Sequence, residues 1–313
     1  MTTCTGGVWA ATLTPMNADL SIDLGKLNDH VAWLFDRGCD GVALLGTTGE
    51  ANSLSLRERL ALIDAAGKAG FGEEKIMTGV GCCAAGDTLE LSRAAIEAGY
   101  PNLLMLPPFY YKGVCEEGLF RSYANIIEEL NDDRARIIVY DFPQMTGLEI
   151  STTLLVRLRK AFPDTVIGIK DSSGNWDDMK EACDRLPGFS VFAGTEKYLL
   201  PVLRAGGAGC ISATANVTSP ALSNLMTNWE NANAEILQEA ITQLRVTLQA
   251  YPAAPALKEL MARSTGEQDS GDQNWRNLRP PFVNLDDEKA ESLLNDLREI
   301  NFDVKDLSMI VAS

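Results

Sequence analysis

Thr165-Val166-Ile167-Gly168-Ile169-Lys170-Asp171-Ser172-Ser173-Gly174 carries three β-branched residues, at 166, 167 and 169, and then a lysine where the apolar run gives way to serines and a glycine. Such a run reads as a short buried strand, and the Ser/Gly cluster after it as a turn. Lys170 therefore stands at the end of a strand, against an apolar core. Burial disfavours an ammonium, and a lysine freed of its proton is a nucleophile toward a carbonyl carbon. The same position also suits a lysine that carries its charge out to water along its aliphatic stem. What decides between the two is the rest of the chain.

Outward from this stretch, short apolar runs alternate with longer amphipathic ones at a nearly regular interval. Strands are expected at 7–14, 38–45, 75–80, 102–106, 135–140, 166–170, 189–193 and 209–212, and helices between them at 23–36, 55–68, 87–97, 116–130, 151–161, 176–186 and 196–205. Eight alternations in about 220 residues predict an α/β fold, a closed (β/α)8 TIM barrel, whose usual size is about 250 residues. The competing open sheet binds its nucleotide through a Gly-rich turn after the first strand, and Thr12-Leu13-Thr14-Pro15-Met16 is not one. Residues 1–220 are expected to form the barrel and 221–313 a C-terminal helical extension packed on it. Its helices are expected at 221–231, 234–250, 256–263 and 287–301, interrupted near Gly266-Glu267-Gln268-Asp269 and Arg279-Pro280-Pro281.

Of the 313 residues 46% are hydrophobic, enough for a sizeable core. The formal net charge of −16 argues against nucleic acid or anionic membrane as partners, because phosphate needs a positive footprint. The longest apolar runs, such as Leu103–Leu106 and Met309–Ala312, are far too short to span a bilayer. Met1–Gly7 has neither a basic start nor an apolar stretch, so a cytoplasmic address is expected. The seven cysteines are scattered, and the adjacent Cys82 and Cys83 suit neither a zinc knuckle nor a redox motif; reduced, mostly buried thiols are expected. One histidine, His30, falls in a helical pattern and reads as structural. No metal and no histidine-based nucleophile is therefore expected.

In a barrel of this kind catalytic groups gather at the C-terminal ends of the strands. Three segments stand there: Gly46-Thr47-Thr48-Gly49-Glu50 after strand two, Tyr140-Asp141-Phe142-Pro143-Gln144-Met145-Thr146-Gly147 ending strand five, and Lys170 ending strand six. Gly46 and Gly49 allow close backbone approach to a ligand, and two hydroxyls with nearby N–H groups can grip a small carboxylate. The same turn also serves as plain turn chemistry, and a strand-end tyrosine as plain packing. Beside a carbonyl-attacking lysine, Tyr140 becomes a general acid/base.

Taken together, Gly46–Glu50, Tyr140-Asp141-Phe142-Pro143 and Gly168-Ile169-Lys170-Asp171 resemble the signatures of the dihydrodipicolinate synthase and N-acetylneuraminate lyase family of class I aldolases. The resemblance runs in order from about residue 6 to about 220 and takes in Pro107–Tyr111 and Gly206–Asn216. It implies a pyruvate-type 2-oxo acid held as an imine on Lys170, with no dissociable cofactor and no metal. Thr47 and Thr48 would hold the carboxylate, with Gly46, Gly194 and Ile211 completing the binding residues and Ile211 along the methyl side. Tyr140 would move protons through Thr47, and Tyr111 would reach into a neighbouring subunit's site in a homotetramer built as a dimer of dimers.

One departure separates the subfamilies. Dihydrodipicolinate synthases usually carry an arginine two residues after the proline of the tyrosine motif, where it grips the second substrate's carboxylate; this chain has Met145. Phe142-Pro143-Gln144 and Lys170–Gly174 look nearer to aldolases or dehydratases of 2-keto-3-deoxy sugar acids or 4-hydroxy-2-oxoglutarate. The expected activity is thus a lyase joining or releasing pyruvate and an aldehyde. A 4-hydroxy-tetrahydrodipicolinate synthase and a non-catalytic pyruvate-binding barrel are the alternatives.

Overall fold

The computed structural model describes residues 6–264 and 272–309. Cys4, the break expected at Gly266–Asp269 and the end of the apolar run at 310–312 lie outside them. Eight parallel strands close on themselves: β1 (Gly7–Ala11), β2 (Gly41–Leu44), β3 (Ile76–Gly79), β4 (Asn102–Met105), β5 (Arg136–Asp141), β6 (Val166–Asp171), β7 (Ser190–Ala193) and β8 (Gly209–Ser212), with β8 pairing back to β1. The expected barrel is the observed one. Around it run α1 (Leu24–Asp36), α2 (Leu56–Ala69), α3 (Ala85–Glu97), α4 (Glu116–Leu130), the single turn α5 (Pro143–Thr146), α6 (Thr152–Ala161), α7 (Trp176–Arg185), α8 (Leu199–Arg204) and α9 (Ala215–Asn228).

The strands read as near-continuous apolar runs because both faces are buried. One face packs against the helices. The other fills the barrel with Trp9, Ala11, Ala43, Met77, Leu104, Ile138, Tyr140, Phe192 and Ile211, all between 0 and 4% exposed. Ile167 joins this inner set although Gly168, the next residue, is the ladder partner of inward-facing Ile138. An extra residue sits in β6 at that point, and the register shifts there. Lys170 thereby comes into phase with Tyr140 and Phe192, its ladder partners on either side.

Two expected boundaries move for identifiable reasons. β1 stops at Ala11 rather than 14, because Thr12 and Thr14 turn their hydroxyls to the carbonyls of Ala10 and Gly49, at 3.3 and 2.8 Å. Helix α9 begins at Ala215 and continues through Pro220, so the division expected after residue 220 falls inside the barrel's last helix. A proline there forfeits an intrahelical N–H bond. Asn216 ties the first turn to β1 regardless: its amide donates to Ala11 O at 2.8 Å and its Oδ1 accepts from Leu13 N at 3.1 Å. His30 Nε2 donates to that same Oδ1 at 2.9 Å, and burial pushes the imidazole down to about 4, so the ring is neutral and structural as expected.

The C-terminal segment adds α10 (Ala234–Gln249), α11 (Ala253–Ser264), α12 (Asp287–Glu299) and a small antiparallel pair, β9 (Phe302–Asp303) with β10 (Ser308–Met309). Its Leu244, Leu257, Leu260, Leu293 and Leu297 are sealed against Leu13 and Val217 of the barrel. Each fully buried leucine contributes about 1.5–3 kcal/mol, which holds the extension to the barrel. The cysteines correct one expectation: all six described thiols are free, but only Cys39 and Cys210 are buried, while Cys83 and Cys115 lie exposed. Both exposed thiols fall where a strand's end leads into the next helix, Cys115 as the N-cap residue of α4. Among the described residues no helix is long and apolar enough to cross a membrane.

Candidate active site

At the C-terminal end of the barrel, adjacent strands β5 and β6 end in the same pattern, an inward group followed by an aspartate. Tyr140 pairs with Lys170 and Asp141 with Asp171. Lys170 and Tyr140 are each 4% exposed, and Lys170 Nζ stands 4.3 Å from the centroid of the Tyr140 ring. Phe142 stacks on that ring as well, at 5.8 Å and 23°. Among the described residues Lys170 makes no hydrogen bond and no ion pair. It is thus a buried amine with no hydrogen-bonded carboxylate, against the face of a phenol.

Thr47 is the third component. A narrow recess is lined by Gly46, Thr47, Asn52, Arg59, Leu106 and Tyr140, so the turn after β2 and the end of β5 face one space. The turn is shaped by its own bonds: Glu50 N donates to Thr47 O at 3.1 Å and Ala51 N to Gly46 O at 3.3 Å. Thr48 is buried beside it. The two glycines differ in purpose. A Cβ on Gly46 would meet nothing within 4 Å, whereas one on Gly49 would lie 2.8 Å from Thr12 O, so Gly49 serves packing rather than ligand approach.

The remaining expected residues lie at different distances from this centre. Ile211 is wholly buried, a ladder partner of Trp9, in the same inner cluster as Tyr140. Gly194 follows β7, and its N–H donates to Asp171 O at 2.6 Å; a Cβ there would strike Ser172 Oγ. Tyr111 is 73% exposed, edge-on to the equally exposed Tyr110 at 5.3 Å. Within the single chain it meets neither Thr47 nor Tyr140. Met145 is also exposed, on α5, and brings no charge of its own to that place.

The aspartates face away from the barrel interior. Asp171 accepts from the N–H and hydroxyl of Ser173, at 2.8 and 2.6 Å, which makes the turn that Ser172-Ser173-Gly174 predicted. Asp141 accepts from Ile150 N at 3.1 Å and borders an open cavity of about 570 Å³ with Gln144, Ser151, Asp178 and Glu181. Burial, and then the Asp171 charge, push Asp141 up to about 7; burial also raises Asp171, against its bonds to Ser173. Among the described residues no three His, Cys, Asp or Glu side chains come together as a metal-binding group.

Comparison with known proteins agrees with the barrel and gives its family. The profile of the Dihydrodipicolinate synthetase family matches residues 4–300. The chain belongs to that family. An uncharacterized DapA-like lyase of Chloroflexus aurantiacus is 31% identical over 290 residues, 92% of this chain and 94% of the relative. The crystal structure of dihydrodipicolinate synthase from Agrobacterium tumefaciens superposes with a TM-score of 0.86 at 31% identity, covering 95% of this chain and 99% of that one. YagE of E. coli K12, a prophage protein of the dihydrodipicolinic acid synthase family solved in complex with pyruvate, is similar with a TM-score of 0.83 at 25% identity, over 94% and 98%. The family places the chain among enzymes: it is a lyase of the class I aldolase type.

Several residues of this family member stand at the site without a motif to announce them. Arg59, from α2, lines the recess, with Nε donating to Leu54 O at 3.1 Å and Nη1 meeting Cys82 Sγ at 3.3 Å. Lys112 donates to the carbonyls of Phe109 and Thr146, which ties the Tyr110-Tyr111 loop to α5. Lys258, far along the chain, reaches Glu50. Only Glu50 lay within a stretch that composition singled out. The others are isolated charges in helices and loops, and long-range folding alone brings them here.

Proposed function

We propose that the chain makes or cleaves a 4-hydroxy-2-oxo acid, joining or releasing pyruvate and an aldehyde, through an imine on Lys170. The observation that carries this reading is the buried, unpaired Lys170 amine 4.3 Å from the ring of Tyr140. The amine attacks the C2 carbonyl of the 2-oxo acid; the C2 oxygen leaves as water and a protonated imine remains. That iminium is an electron sink. Tyr140 gives the proton that expels the C2 oxygen as water and is left as phenolate; in cleavage the C4 hydroxyl returns a proton to it through Thr47, the C3–C4 bond breaks, and its electron pair flows into the iminium to give an enamine and a free aldehyde. Protonation at C3 and hydrolysis then release pyruvate and the amine. The imine itself supplies the stabilisation, so no dissociable cofactor enters these steps.

Thr47 and Thr48 hold the carboxylate in this scheme, through their hydroxyls and the N–H groups of the turn. The second substrate is of the 2-keto-3-deoxy sugar acid type, because Met145 offers a thioether where a planar carboxylate would need a fork of donors. Tyr111 acts in a partner's site within a homotetramer, in keeping with its exposure on the single chain. Sodium borohydride added with pyruvate should leave a reduced pyruvyl mass on the Lys170 peptide; a wild-type protein with no such adduct overturns the reading. The rival is 4-hydroxy-tetrahydrodipicolinate synthesis, favoured by the 31% identity to the Agrobacterium synthase. Ring formation from pyruvate and aspartate semialdehyde at a rate exceeding any sugar-acid cleavage would establish it instead.

A further inference from the structure

The backbone N–H of Glu50 closes the Thr47–Glu50 turn, and the partners of its carboxylate come from the other end of the chain. Its side chain and that of Lys258 are both fully buried, with Lys258 Nζ 2.6 Å from Glu50 Oε1. Lys258 also donates to Asn277 O at 2.7 Å, and Glu50 Oε2 accepts from Arg279 N at 3.0 Å. The Arg279 guanidinium then bonds Leu20 O, Ser53 O at 2.9 Å and Glu58, and Asn277 Nδ2 donates to Met16 O at 2.9 Å. Segments 16–20, 46–58, 258 and 277–279 thus meet in one hydrogen-bonded knot, buried at Glu50 and Lys258 and partly open to solvent at Glu58.

Two features make this more than ballast. Glu50 holds a left-handed backbone, φ 58°, which a side chain with a Cβ seldom adopts without a compensating hold. A buried ion pair, moreover, seldom stabilises a fold better than apolar residues of the same volume would, so what it provides is definite geometry rather than strength. Burial pulls Lys258 below the ordinary lysine range, and the adjoining Glu50 charge opposes that.

We propose that the Lys258–Glu50 pair is a positioning device for substrate. By clamping Glu50, it fixes the peptide that bonds back to Thr47 O, and so aims the Thr47 and Thr48 hydroxyls and N–H groups at the carboxylate of the 2-oxo acid. The C-terminal extension, through α11 and residues 277–279, is then part of the binding site and not only its support. The inference rests on the proposed function, in which those threonines grip that carboxylate.

The test uses the full chain. In the double variant Glu50→Gln/Lys258→Met both charges go and the volumes stay. Borohydride trapping is titrated with pyruvate, and kcat, KM and Tm are measured beside it. The double variant should fold, with Tm within about 5 °C of wild type. The pyruvate concentration for half-maximal labelling of Lys170 should rise at least about tenfold while kcat at saturation changes less than about threefold. Glu50→Asp, which keeps the charge and withdraws the carboxylate by one methylene, should fold whether or not the double variant does, and should raise half-saturation by at least about threefold. A folded variant whose half-saturation stays within about twofold of wild type overturns the positioning role. No labelling of the wild type at any pyruvate concentration overturns the imine reading and this inference together; labelling with unshifted saturation overturns this inference alone.

Discussion

Lys170 Nζ lies 4.3 Å from the centroid of the Tyr140 ring because the two residues are ladder partners at the ends of β5 and β6. Strands stand about 4.8 Å apart, so inward side chains at one register level necessarily touch. The contact holds the amine in place with no carboxylate hydrogen-bonded to it. Lys170→Arg keeps charge and length but cannot form an imine. It should remain folded, show no borohydride adduct, and lose turnover on the order of 10³-fold or more. Measurable retention of the adduct elsewhere on the chain would move the nucleophile to another lysine.

Tyr140→Phe keeps the stacking on Phe142 and removes only the hydroxyl. Proton transfer to the departing C2 oxygen and at the aldehyde oxygen should both suffer, so kcat should fall about 10²–10⁴-fold and pyruvate labelling of Lys170 should slow with it. Labelling at the wild-type rate would remove Tyr140 from imine formation.

Asp141 makes stability depend on pH in a definite direction. Its folded-state value, about 7, lies above its unfolded one, about 3.9, so its contribution is present in full below about pH 4 and is lost as pH rises through about 7. Asp171, Glu149 and Asp178 face it with charge of the same sign. Asp141→Asn can still accept from Ile150 N and never ionises. Its stability relative to wild type should therefore grow from pH 4 to pH 8, by roughly 1–4 kcal/mol in urea unfolding. His30 acts the opposite way, its contribution present above about 6.5 and lost as pH falls through about 4, but it cancels in the difference between the two proteins. A pH-independent difference would show that Asp141 stays charged throughout.

In the proposed homotetramer Tyr111, 73% exposed on the single chain, acts across an interface. Tyr111→Phe should lower kcat about 10–100-fold while Tm moves by less than about 2 °C. Mixing it with inactive Lys170→Ala subunits should restore activity, since an intact Lys170 and an intact Tyr111 then meet in the hetero-oligomer. Absence of restoration in mixed oligomers would remove Tyr111 from the neighbour's site.

Gly168 is where β6 changes phase, and a Cβ there would come within 2.6 Å of Ser190 O on β7. Gly168→Ala should cost about 1–3 kcal/mol in denaturant unfolding and weaken pyruvate labelling, because the strand that carries Lys170 has to shift. An alanine variant as stable and as readily labelled as wild type would show that the two strands yield there freely.

The period of apolar runs along the chain was enough for the eightfold barrel, because parallel strands buried on both faces and helices buried on one leave different hydrophobic rhythms in any context. It was also enough to put Lys170, Tyr140 and Thr47 at strand ends, where residues near in sequence specify their own local structure. Folding in three dimensions decided the rest: the extra residue in β6 that turns Lys170 inward, the recess that joins Thr47 to Tyr140 and Arg59, the proline carried inside α9, and the Lys258 ammonium beneath Glu50. Those contacts join groups as much as 208 residues apart, and no local pattern encodes which distant charge will meet which. Desolvation supplies the selection, since a buried carboxylate or ammonium is tolerated only where the completed fold brings its partner.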